Sequence, residues 1–274
     1  MTMSFLLQDD FEDYEPVEIK ETEQATSAKA PSRAAQKALS SDDKYRIPDI
    51  GPIFDRKRLM DLVSLSVEQY GATLISGRAG TGKTVLAADF SRRQRSAKWY
   101  SIEAADAAWP EFAESFAIAL GINTGRLKGI RDLPSGAAQV SRFLTDCFTH
   151  GASRGRRLLV LDNVHHLFDA GWFPEFFRQM VVALDAETRL LMLCRSRPSA
   201  PLWRLRSKQM LNLIDESIIN LTRSEAREIC AERGFSRAVA DEAFELAFGN
   251  IAKLVKILDK IAPRSSAAGT SGAS

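Results

Sequence analysis

The chain has 274 residues, 45% of them apolar or aromatic and 26% charged, with 37 Lys and Arg nearly balanced by 35 Asp and Glu. That composition suits a soluble globular protein with one sizeable α/β core and a smaller helical piece. It excludes a membrane-spanning chain, because no run of about 20 apolar residues occurs. No secretory leader is expected either, because the first residues lack a basic region and the apolar stretch Phe5 to Leu7 is too short.

Residues 1–45 read as a disordered acidic tail. Asp9, Asp10, Glu12, Asp13, Glu15, Glu18, Glu21 and Glu23 stand against the single base Lys20. Thr22 to Ser41 holds almost no large apolar residue with which to offset the entropy of ordering. Phe5, Leu6, Leu7, Phe11, Tyr14, Val17 and Ile19 are set among the acids, so this stretch also has the make-up of a docking segment that orders on a partner.

From residue 46 to residue 221 helical and strand periods alternate, which implies a parallel sheet with crossover helices. Arg56 to Tyr70 has a helical period, and Ala72 to Ser76 is a short buried strand. Next comes Gly77-Arg78-Ala79-Gly80-Thr81-Gly82-Lys83-Thr84, which fits G-x-x-x-x-G-K-[ST] in full and opens a helix reaching about Arg95. Glycines here let successive backbone N–H groups turn inward around phosphate oxygens, and the helix start adds partial positive charge. Lys83 is expected to reach the β- and γ-phosphates and the Thr84 hydroxyl to hold Mg2+. Gly77, Gly80, Thr81, Gly82, Lys83, Thr84 and Val85 are the candidate binding residues for a nucleoside triphosphate.

Lys98 to Ile102 reads as the next strand, and Trp109, Phe112, Phe116 and Leu120 share one helical face, as do Ala137, Val140, Leu144 and Cys147. Leu158 to Leu161 is a strand covered on both faces, and Asp162 at its carboxyl end is the Walker B acid, placed to face the metal. ATPases of this kind commonly follow that acid with a second one that polarises the attacking water. Asn163 stands there instead; an amide can hold a water but cannot accept its proton, so turnover is expected to be slow. His165, His166 and Asp169 lie near, and a neutral His165 would either orient a water or make a helix-start hydrogen bond. A helix around Phe173 to Leu184, a strand at Arg189 to Cys194 and a last strand at Ser217 to Leu221 complete the sheet. Thr222 with Glu225 is a capping-box signature and Gly234 a helix stop, followed by two more helical patterns. Residues 222–263 thus form a helical subdomain and 264–274 a disordered tail. The predicted fold class is α/β, a P-loop NTPase three-layer sandwich with a central, mostly parallel five-stranded sheet, followed by that subdomain. Cys147, Cys194 and Cys230 are odd in number and set in apolar patterns, as free thiols in a reducing cytoplasm would be.

The stretch from about Ile47 to Ile261 resembles the STAND class of signal-transduction ATPases, and within it the NTPase core of the large ATP-binding LuxR-type regulators. Trp99-Tyr100-Ser101-Ile102-Glu103 is similar to the family's second strand. Leu161-Asp162-Asn163-Val164-His165 is similar to its Asp-Asp-x-His stretch, with Asn in place of the second acid. Leu191 to Arg195 followed by Pro201-Leu202-Trp203-Arg204-Leu205-Arg206 resembles its strand ending in a sensor arginine, which implies that Arg195 reads the γ-phosphate. Ile53-Phe54-Asp55-Arg56 resembles the family's entry motif beside the adenine, with Asp55 replacing Gly, and implies a nucleotide-side role for Arg56. Gly249-Asn250-Ile251 occupies the place of a Gly-x-Pro whose Pro is lost. The resemblance implies ATP, with Mg2+, as the cofactor and nucleotide-dependent self-association. The family's usual winged helix and sensor repeats do not follow, which leaves the expectation of a stand-alone NTPase module.

These readings lead to an ATP-binding switch with slow hydrolysis acting on a protein partner. An AAA-like helper ATPase acting with DNA or secretion machinery is the alternative, since Asp162 to Leu167 also resembles the Asp-Glu-Ala-His-His-Leu stretch of such helpers. A binding module without turnover is the third. The basic stretches Arg92, Arg93, Arg95 and Arg154, Arg156, Arg157 are read as solvated faces ahead of nucleic-acid contacts.

Overall fold

The computed structural model describes residues 43–51, 54–127, 129–150, 156–184, 187–196, 208 and 210–261. Residues 1–42 of the expected N-terminal tail 1–45, the expected C-terminal tail 264–274, Ile53, Arg154 and the run Pro201 to Arg206 lie outside the described residues. Among the described residues no helix is long and apolar enough to cross a membrane.

The chain runs α1 (Lys57–Gln69), β1 (Ala72–Ser76), α2 (Lys83–Arg92), β2 (Ala97–Ser101), α3 (Trp109–Ala119), α4 (Ala137–His150), β3 (Arg157–Asp162), α5 (Phe173–Ala183), β4 (Thr188–Cys194) and β5 (Leu211–Ile214). The one-turn helix α6 (Glu216–Ile219) leads to α7 (Arg223–Glu232), α8 (Arg237–Ala247) and α9 (Ile251–Ile261). The five strands form one sheet in the order β2-β3-β4-β1-β5, and all four pairings are parallel. Strand β4 stands between the phosphate-loop strand and the Asp162 strand, while β2, which separates them in sequence, lies at the edge.

The side-chain period of two divides each central strand between two cores. Leu159 and Leu161 of β3 with Leu190, Met192 and Cys194 of β4 face α3, α4 and α5. Leu158 and Val160 with Leu191 and Leu193 face α1 and α2. This is the three-layer α/β sandwich of P-loop NTPases. A ring cluster binds the first layer: Phe112 and Phe176 meet edge to face with centroids 4.9 Å apart, and Trp109 and Trp172 at 5.2 Å. A third core, from Leu221 through Ala226, Ile229 and Ala243 to Leu258, belongs to α7, α8 and α9.

The last strand differs from the sequence expectation. Ser217 to Leu221 is not a strand; Leu211–Ile214 pairs with β1 in register from Ala72 opposite Leu211. The Asp215 carboxylate accepts from the Ser217 N–H at 3.0 Å and starts the single turn α6, so a local cap overrides the β-branched content of Ile218 and Ile219. The expected capping box is present: Thr222 accepts from the Glu225 N–H, and the Glu225 carboxylate from the Thr222 N–H.

Candidate nucleotide site

Strand β1 delivers the chain to Gly77 at the carboxyl edge of the sheet, where open α/β sheets bind ligands. Gly80 (φ 81°) and Gly82 (φ 88°) take left-handed backbone. A Cβ at Gly80 would also stand 2.7 Å from Asn250 Oδ1 and 3.0 Å from Ala252 Cβ, so space as well as conformation demands glycine there. Gly82 directly precedes α2, whose first residue is Lys83.

Lys83 is 7% exposed. Its ammonium donates to Gly77 O, to Arg78 O at 2.8 Å and to Thr81 Oγ1 at 3.3 Å. Burial holds its pKa below that of ordinary lysine, and the Arg195 charge lowers it further. Thr84 Oγ1 donates to Asp162 Oδ2 at 3.0 Å, and the Asn163 N–H donates to Asp162 Oδ1 at 2.8 Å. Burial raises the Asp162 carboxyl, opposed by those two hydrogen bonds and by Lys83 and Arg195. A hydroxyl and a carboxylate joined in this way fit Mg2+, which takes one or two protein oxygens and completes its shell with water and phosphate.

Asn163 has φ 59° and ψ 36°. Asn is among the few residues common in the left-handed region, so the residue that replaces the second acid matches a backbone requirement. Its side chain lines the cavity beside Asp162. His165 stacks on His166 at 4.3 Å within the turn Val164–Leu167 and does not line the cavity. Its Nδ1 is buried with no partner among the described residues. Burial first, then His166, Arg195 and Lys83, push its pKa down to about 4, so the ring is neutral at physiological pH. Arg195 stands exposed at the carboxyl end of β4, lines the cavity and makes no ion pair among the described residues.

The cavity has a volume of about 560 Å3, within the roughly 300–1,000 Å3 of small-molecule sites. Its lining combines polar groups from Gly80, Gly82, Lys83, Thr84, Asp162, Asn163 and Arg195 with the apolar Phe54, Met60, Val85, Ile251 and Val255 and the charged Asp89, Arg233 and Lys256. Gly77 and Thr81 belong to the loop but do not line the cavity, and Thr81 Oγ1 donates to Arg78 O at 2.9 Å. Arg56 lines the cavity, yet its guanidinium is already engaged. It donates to Thr81 O at 3.4 Å, Ile219 O at 2.8 Å and Glu225 Oε2 at 3.2 Å.

Three residues outside the sequence-based set hold this site. Glu225 joins Arg56 and Arg58 to the start of α7. Glu216 accepts from the Arg78 N–H at 2.9 Å and pairs with its side chain. Asn250 donates to Ala79 O at 2.9 Å. Glu225 carried a capping signal that masked its second use, and Asn250 entered only as part of Gly249-Asn250-Ile251, a likeness that did not tie it to the phosphate loop.

Residues 67–199, from before β1 to just past β4, match a family model described as an AAA domain, and over that span the chain is similar to AAA-type P-loop ATPases. Among solved structures, the chain is similar to the Orc1 protein of Aeropyrum pernix in complex with DNA, with TM-score 0.52 and 16% identity over 79% of this chain and 62% of that one. It is also similar to a Walker-type ATPase of Pyrococcus abyssi, with TM-score 0.48 and 14% identity over 79% of this chain and 71% of that one. The replication initiator DnaA bound to AMPPCP and single-stranded DNA matches with TM-score 0.45 and 17% identity over 81% and 65%. The chain spans under two thirds of the length of the Orc1 and DnaA chains. No curated protein matches in sequence. At 16% identity the likeness to Orc1 shows the fold and no more.

Proposed function

We propose that the protein binds Mg·ATP in the cavity between the phosphate loop and α9, and uses slow hydrolysis as a conformational switch acting on a protein partner. The observation that carries this reading is the meeting of Lys83, the Thr84–Asp162 pair and Arg195 around a cavity whose other wall is α9. Backbone N–H groups and Lys83 take the phosphates, Thr84 and Asp162 hold Mg2+, and Arg195 senses the terminal phosphate. The metal, when bound, neutralises charge on the phosphate oxygens. The apolar lining residues, with Arg56, accept the base. A STAND-like switch fits the absence of a carboxylate at Asn163 and the direct seating of the helical piece on the loop.

Light scattering in ATP, ADP and no nucleotide tests the switch; an identical particle in all three states would rule it out. Asn163→Asp is expected to raise turnover, up to the roughly 100-fold or more that a general base supplies. The left-handed backbone tolerates Asp as it does Asn. An unchanged rate in a phosphate-release assay would show that the water is handled elsewhere.

Asp162→Asn is expected to act in opposite directions on stability and on metal use. Because folding raises this carboxyl above its unfolded value of about 3.9, the native state holds more protons through that window and stability falls as pH rises through it. At neutral pH the charge is a cost, so the variant should melt higher without ligand while losing the Mg2+ dependence of nucleotide affinity. A lower melting temperature would contradict the assignment.

The alternative, a helper ATPase acting with DNA, draws on the Orc1 structure, which is solved in complex with DNA. Against it, Arg92 is held by Pro48 O and Asp49, and Arg93 by Asp89. DNA binding that weakens steeply with salt, together with DNA-stimulated turnover, would favour this reading.

A further inference from the structure

The phosphate loop has an outer side as well as an inner one. A peptide group is planar and trans, so its C=O and the N–H of the next residue point in opposite directions. Whatever holds a carbonyl outward therefore aims the following N–H inward. Asn250 Nδ2 donates to Ala79 O at 2.9 Å, and the Ala252 N–H donates to Gly80 O at 3.1 Å. Arg56 reaches Thr81 O at 3.4 Å. The N–H groups aimed in this way belong to Gly80, Thr81 and Gly82, the middle of the cradle. Two of the three holds come from the first turn of α9, which belongs to the helical piece and not to the sheet.

Asn250 uses both ends of its amide. While Nδ2 clamps the loop, Oδ1 accepts from the Lys253 N–H at 3.0 Å and caps α9. Its side chain does not line the cavity. The preceding backbone turns sharply to place it: Phe248 (φ 50°) and Gly249 (φ 74°) are both left-handed, and Gly249 O accepts from the Leu221 N–H at 2.8 Å.

We propose that Asn250 is a positioning residue for the phosphate-binding amides, setting polyphosphate affinity from outside the site without touching the ligand. The inference rests on the nucleotide-binding reading above. Its consequence is reciprocal: a seated α9 favours phosphate, and phosphate favours a seated α9. The helical piece thereby reports occupancy of the loop through hydrogen bonds to the loop's carbonyls.

Asn250→Ser and Asn250→Thr separate the two roles, since each keeps an uncharged hydroxyl that caps α9 and loses the amide donor to Ala79. Wild type and variants are titrated with Mg·ATP and with Mg·tripolyphosphate, and thermal unfolding is followed alongside. Both variants are expected to melt as wild type does without ligand, and to bind both ligands about fivefold to tenfold more weakly. Unchanged affinity for both overturns the proposal. Weakening for ATP alone also overturns it, because that would place Asn250 on the nucleoside. In wild type, tripolyphosphate should slow amide exchange in residues 250–261, a readout that needs no variant; no slowing counts against the clamp. A wild-type protein that binds neither ligand removes the nucleotide reading itself, whereas binding without these effects removes only the role of Asn250.

Discussion

Replacing Lys83 with methionine is expected to weaken Mg·ATP binding by about 100-fold or more while leaving the empty protein folded. The ammonium is placed where the loop's carbonyls converge, and a charged donor to phosphate oxygens contributes about 1.5–3 kcal/mol per hydrogen bond. Two such bonds account for a loss of at least two orders of magnitude. The empty protein should tolerate the change, because burial already works against the charge. Methionine keeps most of the stem that packs beneath the loop. Competition with a fluorescent nucleotide measures the first effect and thermal unfolding the second. A variant that binds within threefold of wild type would mean that Lys83 points elsewhere when nucleotide is present.

Glu225→Ala is expected to be the most damaging substitution for stability outside the apolar cores. The Glu225 carboxylate is nearly buried and holds Arg56, Arg58 and the Thr222 N–H at once. Removing it strands the buried guanidinium of Arg56, and breaking a buried pair in this way costs about 3–5 kcal/mol. Part of the Arg58 contribution is discounted, since that side chain is 42% exposed. The same contacts predict a pH dependence. Burial alone would raise this carboxyl, but the Thr222 N–H, Arg56 and Arg58 outweigh it and hold the pKa below the ordinary value. The stability it contributes is therefore complete above its unfolded pKa of about 4.3 and lost as pH falls through the folded value. Urea unfolding of wild type and Glu225→Ala from pH 7 down to pH 3 should show the two converging. Parallel curves would mean that the ion pair is not the source.

The phosphate loop and the Asp162 strand were legible because their chemistry is local. Eight consecutive residues specify the loop, and Arg157–Asp162 is a run buried on both faces. The family match from residue 67 to residue 199 covers the same span. Legibility failed where long-range or capping physics decided. Ser217 to Leu221 has strand-like content, yet the Asp215 carboxylate turns it into α6, and the true edge strand, Leu211–Ile214, is only four residues long. The Asn250 clamp joins residues 171 apart, and although Ala79 lies in the phosphate loop and Asn250 at the place of the Gly-x-Pro, neither pattern specifies a hydrogen bond between them. Arg56 was singled out for its place beside the base. The structure puts it at the cavity wall with a guanidinium already committed to Glu225, a partner that the capping box of α7 had seemed to use up. His165, expected near the phosphates, lies in the turn Val164–Leu167 close enough to Lys83 and Arg195 for both to lower its pKa, but it does not line the cavity.

The nucleotide-related expectations depend on inward-facing amides and Lys83 enclosing a polyphosphate. Isothermal titration of the full chain with ATP in the presence of Mg2+ tests that most directly. One site per chain, lost on substituting Lys83, is the predicted result; a folded protein that takes up no nucleotide of any base would contradict it.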